Sequence, residues 1–421
     1  MNKTVFPSFV RGTVNAPVSK SDLHRALICA AFCKGTTALP VLASSSDTDA
    51  TAECLSALGS RVERTEDGFV ISGPISGGGE LDCRESGSTL RFLLPVAAVL
   101  GKETHFSGSG KLPSRPVLPL TSELRKKGSV IDADFLPITV KGKASGGVYT
   151  LPGDVSSQIV SGLLLALPYT GEYSEIKLSS PLQSKMYVDM TVNTLSRFGV
   201  EWKEIPCGSE NFPYGGYLLV GGEYRSSGTY VAEGDWSGAA FFAVAGAIGG
   251  KVTVNGLADN SAQPDRAIEK IIKEFGADVS WENGSLSVKT AEKRPFSVDV
   301  SQFPDLFPVL AVLAAAANGE SRLYNAGRLR IKESDRISAV CNMINSLGGK
   351  AIADEDSLTV YGNGKLVGGT VSGENDHRIV MSAAIASLIC EKEVTILGSE
   401  AVGKSYPAFF EDLSKIQTQI L

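Results

Sequence analysis

Repetition is the strongest constraint on what this chain can fold into. Six segments share one pattern: a polar or acidic start, a mostly apolar run, then glycine or a charged break and a β-like stretch. They begin near Ser19 (SKSDLHRALICAAF), Ser86 (SGSTLRFLLPVAAVLG), Ser156 (SSQIVSGLLLALP), Asp235 (DWSGAAFFAVAGAIGG), Asp305 (DLFPVLAVLAAAANG) and Asp376 (DHRIVMSAAIASLI). A helix that is apolar nearly all round belongs inside a core. Serine or aspartate at its start fits an N-cap. The pattern therefore predicts six buried helices whose N-terminal ends carry the polar residues.

A second, amphipathic helix type alternates with the first, over 47–59, 120–128, 189–199, 265–276 and 335–348. Each of these segments ends on the glycine expected as a C-terminal stop. Asp67-Gly68 and Asn283-Gly284 signal hairpin turns between short strands. Each repeat thus reads helix, strand, helix, strand pair. The sixth repeat has no strand pair after its second helix, at 408–417, and the run 4–10 is the candidate to supply a missing strand. That would place the N-terminus with the C-terminal half. The interval between the third and fourth repeats is the longest, which puts a boundary near 226–230. The reading is an α/β protein of two similar domains with three repeats each: 14–228, and a discontinuous domain of 1–13 and 229–421.

Composition removes several function classes. The net charge is −6, which argues against nucleic acid or an anionic membrane as partner. The seven cysteines form no CxxC pair and the three histidines are too few for a His-rich metal centre, so neither a metal nor a redox cofactor is expected. Scattered cysteines fit reduced thiols in a cytosol. The longest apolar runs, such as 161–167, are too short to span a membrane, and the N-terminus has no apolar signal core. A cytoplasmic chain is expected.

The helix starts point to anion chemistry. A helix N-terminus presents unpaired N–H groups and a partial positive charge. Several of the buried helix starts here also carry cations: Lys20 and Arg25, Arg91, and His377 with Arg378. Two dense clusters add to these, Lys332-Glu333-Ser334-Asp335-Arg336 and Asn375-Asp376-His377-Arg378. In the first, Ser334 or Asp335 is placed to cap the following helix, Lys332 and Arg336 to bind an anion, and Glu333 to act as acid or base. The segment from Gly398 to Ser405 matches the GxxxxGK[ST] phosphate loop. Such a loop opens the first unit of a parallel sheet, with a metal-binding aspartate on a later strand. Only a short tail follows here, so nucleotide hydrolysis is set aside, and Lys404 is kept as a point charge for phosphate or carboxylate.

Taken together, these clusters resemble the 5-enolpyruvylshikimate 3-phosphate synthase family over nearly the whole chain. The matching segments are Lys20-Ser21 with Arg25, Gly87-Ser88-Thr89 with Arg91, and Leu112-Pro113-Ser114-Arg115-Pro116. They continue through Ser156-Ser157-Gln158, Ser184-Lys185 with Tyr187, Asp305, both dense clusters, and Lys404 followed by Pro407. Glu85, Ser88 and Arg328 depart from the family pattern, which has Asn, Thr and, in some members, Asn. The resemblance implies two domains of three βαβαββ units with buried helices, an inside-out α/β barrel arrangement, and an active site in the interdomain cleft. It implies transfer of the enolpyruvyl group of phosphoenolpyruvate to the 5-hydroxyl of shikimate 3-phosphate, with no cofactor or metal, by a protein expected to be a monomer. It also implies a family in which glyphosate competes with phosphoenolpyruvate.

By the same resemblance, Lys20, Gly87, Arg115, Gln158, Arg336, Arg378 and Lys404 hold phosphoenolpyruvate. Lys20, Ser21, Arg25, Ser156, Ser157, Gln158, Ser184, Tyr187, Asp305 and Lys332 hold shikimate 3-phosphate. Asp305 and Glu333 are the acid/base pair, assisted by Lys20, and which of them donates is left open. For Asp305 the residues also allow a plain N-cap. Two alternatives stand beside this reading: the sister transferase acting on UDP-N-acetylglucosamine, and a non-catalytic anion-binding protein on the same scaffold. The sister family uses Lys-Asn near the N-terminus and usually a Cys in a mobile loop. This chain has Lys20-Ser21 and no Cys around 112–116.

Overall fold

A computed structural model describes residues 1–419. The six apolar segments fold as buried helices: Lys20–Phe32, Gly87–Leu100, Ser157–Ala166, Trp236–Gly249, Phe307–Ala316 and His377–Ala386. Every residue of Trp236–Gly249 and of Phe307–Ala316 is buried. Ser86, Ser156, Asp235 and Asp376 cap their helices by accepting backbone N–H groups of Thr89, Gln158, Ser237 and Arg378. Asp305 does not cap. It sits in a 3-10 turn, Pro304–Leu306, and its carboxylate is engaged elsewhere. Pro308 stands in the first turn of the following helix, where a missing N–H costs nothing.

The chain divides into two compact units, Lys20–Ala232, and Met1–Ser19 with the chain from Glu233 onward. Within the Lys20–Ala232 unit one sheet recipe repeats. Glu80–Asp82 runs parallel to Thr104–Ser107, which pairs antiparallel with Ile138–Lys141, and that with Val130–Ile131. Gly147–Leu151, Ser174–Leu178, Gly216–Gly222 and Val200–Ile205 pair in the same way. The first repeat keeps Gly35–Pro40, Gly68–Gly73 and Arg61–Thr65, and its leading strand is replaced by a single parallel bridge from Thr229 to Ala38. Parallel neighbours need a long crossover, and in the second and third repeats a buried helix fills it.

The other unit follows the same recipe with borrowed strands. Ser8–Asn15 leads the fourth repeat, parallel to Gly250–Asn255, and takes Gln417–Gln419 on its other edge. The fifth repeat is complete, with Ser297–Asp299, Asn318–Tyr324, Leu358–Asn363 and Ala351–Ala353. In the sixth, Asn2–Val5 pairs antiparallel with Val394–Leu397, which runs parallel to Gly369–Ser372. Among the described residues these make six small sheets, none closed into a barrel.

Two local expectations change. The run 4–10 is not one strand. It breaks at Phe6-Pro7, because proline has no N–H for a ladder, and the two halves enter different sheets. Asn283-Gly284 forms the expected two-residue turn, with φ of 51° and 75°. At the other hairpin, however, Thr65 pairs with Gly68, so Glu66-Asp67 is the loop. Gly68 begins the return strand at φ +137°, where a Cβ would lie 2.2 Å from the Leu39 carbonyl oxygen.

Candidate active site

In the Lys20–Ala232 unit the polar helix starts are stitched together. His24 Nδ1 meets Thr51 Oγ1 at 2.8 Å, Thr51 meets Thr89 at 2.7 Å, and Thr89 donates to Ser86 Oγ at 2.7 Å. Lys20 pairs with Asp47 at 3.0 Å. Arg25 is buried and donates to Thr191 Oγ1, to the Ser21 carbonyl and to the Tyr187 carbonyl. Its guanidinium lies 5.0 Å from the centre of the Phe92 ring. Burial lowers its pKa to about 10, against the pull of Asp22, so it stays a cation at neutral pH. Tyr187 N–H returns to the carbonyl of Ser184, which stands in left-handed backbone at φ 55° before the Lys185–Arg197 helix.

A second group gathers over Gly87. A Cβ at Gly87 would lie 2.7 Å from Arg91 Nη1 and 3.0 Å from Arg115 Nη1, so a bare Cα lets two guanidinium groups close over the helix start. Arg91 donates to Gln158 Oε1 at 3.3 Å, and Gln158 Nε2 donates to Ser88 Oγ at 2.9 Å. Ser156 caps the turn that carries Ser157 and Gln158. The Glu85 carboxylate crowds Gly110. Two adjacent cations above oriented N–H groups form a place for a phosphate or carboxylate.

The other unit holds a denser cluster. Arg336 is 1% exposed and touches three carboxylates: Asp376 at 2.8 Å through Nε, Asp305 at 2.8 Å and Glu333 at 2.7 Å. Arg378 donates to the other oxygen of Asp305 at 2.8 Å and to its carbonyl at 3.1 Å. Asp376 also accepts from Ser334 Oγ and caps the His377 helix. Lys404 reaches the Asn375 carbonyl at 2.6 Å. Its segment is a 3-10 turn, Ser399–Lys404. Arg328 donates to the Ser301 carbonyl. Asp335, not Ser334, caps the Arg336–Ser346 helix.

Charge decides protonation here. Burial pushes the Asp305 carboxyl up, but Arg378, Lys332 and Arg336 outweigh it and hold it well below the usual carboxylate range. Asp376 is likewise held down, its burial opposed chiefly by Arg336. Arg336 is pushed up, because Asp376, Glu333 and Asp305 overcome its own burial. Asp305 is therefore a carboxylate and a proton acceptor, and a weak one while both arginines face it. Sequence reasoning found Asp305, Glu333, Arg336 and Arg378 but gave Asp376 no role beyond a cap and Asp47 none. An aspartate ahead of an apolar run reads as a cap, and nothing local says that it also holds a buried cation.

The fold and its two anion-ready clusters fit the class of enolpyruvyl transferases. The solved enolpyruvyl transferase NikO from Streptomyces tendae shares the fold, with a TM-score of 0.76 at 14% identity over 100% of this chain and 99% of its own. The EPSP synthase of Acinetobacter baumannii superposes with a TM-score of 0.81 at 27% identity, covering 99% of this chain and 98% of its own. The family model for EPSP synthase (3-phosphoshikimate 1-carboxyvinyltransferase) matches residues 6–413. A 3-phosphoshikimate 1-carboxyvinyltransferase of Clostridium kluyveri is 39% identical across 99% of this chain and 97% of its own length. One from Methanocorpusculum labreanum is 37% identical across 99% and 98%. The chain belongs to the EPSP synthase family.

Proposed function

We propose that the chain transfers the enolpyruvyl group of phosphoenolpyruvate to the 5-hydroxyl of shikimate 3-phosphate and releases phosphate. Family membership supports the reaction; the observation that carries the chemistry is Asp305, ringed by Arg378, Arg336 and Lys332 beside Glu333. The acceptor hydroxyl must lose a proton and bond to C2 of phosphoenolpyruvate as its methylene carbon gains one, and the adduct must then expel phosphate and give up a methyl proton to restore the double bond. Anionic groups of the substrates compete with Asp305 and Glu333 for the arginines. As the arginines turn to substrate, Asp305 loses their pull and becomes a better base. Lys20, Ser21, Arg25, Ser156, Ser157, Gln158, Ser184, Tyr187, Asp305 and Lys332 hold the acceptor in this reading. Lys20, Gly87, Arg115, Gln158, Arg336, Arg378 and Lys404 hold the donor. The inside-out arrangement of helices within and small sheets without belongs to the same reading.

Phosphate release should require both substrates together. Glu333→Gln should lower kcat by about a hundredfold or more, as expected for loss of a general acid or base, with the folded state retained. Release with UDP-N-acetylglucosamine in place of shikimate 3-phosphate would move the assignment to the sister transferase. No release with either acceptor would leave a binding protein.

A further inference from the structure

The reaction as proposed uses Ser21 and Arg25 but not Asp22, the buried carboxylate on the same helix turn. Asp22 is 5% exposed, and Tyr230 donates its phenol to Asp22 Oδ1 at 2.6 Å. Thr194 Oγ1 lies 3.2 Å from the same oxygen. Two neighbours hold the Tyr230 ring: Phe198 stacks on it at 5.2 Å, and Arg197 lies 3.7 Å from its centre. Its backbone N–H is fixed to the Ala38 carbonyl at 2.9 Å. Tyr230 belongs to the segment where the chain leaves this unit.

One helix face receives all of these contacts. Along Lys185–Arg197, the Tyr187 carbonyl and Thr191 accept from Arg25, and Thr194 reaches Asp22. Arg197 and the C-cap residue Phe198 then hold the Tyr230 ring. Positions three and four apart share a helix face. Arg25 fastens one end of this seam, and the phenol–carboxylate bond fastens the other.

We propose that Asp22 and Tyr230 are positioning residues for acceptor binding. Their bond locks the Lys20 helix in rotation against the Lys185–Arg197 helix, and so sets where Ser21, Arg25 and Tyr187 present their polar groups. The inference rests on the assignment of those three residues to the acceptor. A burial device alone would stabilise the unit and leave substrate affinity unchanged.

The test compares steady-state kinetics and melting temperature for the full chain and four variants. Tyr230→Phe should raise KM for shikimate 3-phosphate about tenfold, equivalent to about 1.4 kcal/mol, with kcat and KM for phosphoenolpyruvate close to wild type. Asp22→Asn keeps an oxygen acceptor and should retain most of the acceptor affinity. Tyr230→Phe combined with Asp22→Leu removes both members of the phenol–carboxylate bond, and Thr194 keeps its bond to the Met190 carbonyl, so part of the melting temperature should return, less what buried Arg25 loses with the attraction of Asp22. Its acceptor KM should stay high. If Tyr230→Phe lowers only melting temperature, or if the double variant regains KM together with stability, the positioning role is overturned. Thr194→Val reads the same parameter should Tyr230→Phe not fold. A wild type that releases no phosphate overturns the function itself, and this inference with it. A working wild type with unchanged KM in the variant overturns the inference alone.

Discussion

His24 shows how a single residue carries a pH signature. It is fully buried on the Lys20 helix, bonded through Nδ1 to Thr51, and edge-on to Phe92 at 6.4 Å. Burial first, then Lys20 and Arg25, drive its pKa well below 6.5. The unfolded chain takes up this proton near pH 6.5 and the folded chain does not. The unfolded state therefore binds more protons as pH falls, and stability drops with it. Stability should be full above about pH 7.5 and fall below 6.5 by up to about 1.4 kcal/mol per pH unit, the slope for one proton. Denaturant titrations at several pH values should show a flatter slope in His24→Leu. Parallel curves for the two proteins would sink the idea. Asp305 and Asp376 act in a separate, more acidic window. Their depressed pKa values add stability above the unfolded carboxylate value, and it is lost as pH falls toward the folded values.

At the scale of elements, two buried helices meet where each breaks a rule. Pro95 lies inside the Gly87–Leu100 helix and has no N–H to return to the Arg91 carbonyl. Gly162 lies inside the Ser157–Ala166 helix, where Ala would be the better helix former by about 1 kcal/mol. The two exceptions explain each other. A Cβ on Gly162 would sit 2.3 Å from the Arg91 carbonyl oxygen and 3.1 Å from Pro95 Cγ. The first obstacle is backbone and cannot swing away. Gly162→Ala should therefore destabilise by about 1–3 kcal/mol, the cost of overpacking, although propensity alone predicts a gain. A rise in melting temperature would show that the helices separate more easily than this contact implies. Because Arg91 and Gln158 belong to these same helices, the close approach also sets the spacing of the group over Gly87.

The unit formed by Met1–Ser19 and the chain from Glu233 onward is held by borrowed strands. Ser8–Asn15 runs between Gly250–Asn255 and Gln417–Gln419, one strand in from the edge of its sheet, and Asn2–Val5 completes the sixth repeat. The Lys20–Ala232 unit contains none of this segment. Removing residues 1–15 should therefore unfold the unit that begins again at Glu233. A fragment spanning 20–232 should still unfold cooperatively, with its helical circular dichroism retained. If 233–421 alone melted as sharply as the intact chain, the N-terminal strands would be ornaments on the sheet and not part of its core.

Much of this was legible in the residues. The six apolar helices, the capping roles of Ser86, Ser156, Asp235 and Asp376, the Asn283-Gly284 turn and the basic helix starts all follow from interactions reaching no further than one helical turn or one hairpin. Such interactions leave a periodic trace in the sequence. What packing alone decided is which distant groups share a desolvated space. Asp305 also looked able to cap its helix, yet it faces Arg378, 73 positions away. Asp376 read as a cap and is also the buried counter-charge of Arg336, 40 positions earlier. Tyr230 found Asp22 across 208 positions. A buried charge needs a partner, and the need is set by burial. Burial follows from how strands are exchanged between repeats, and local sequence pattern carries no record of that exchange.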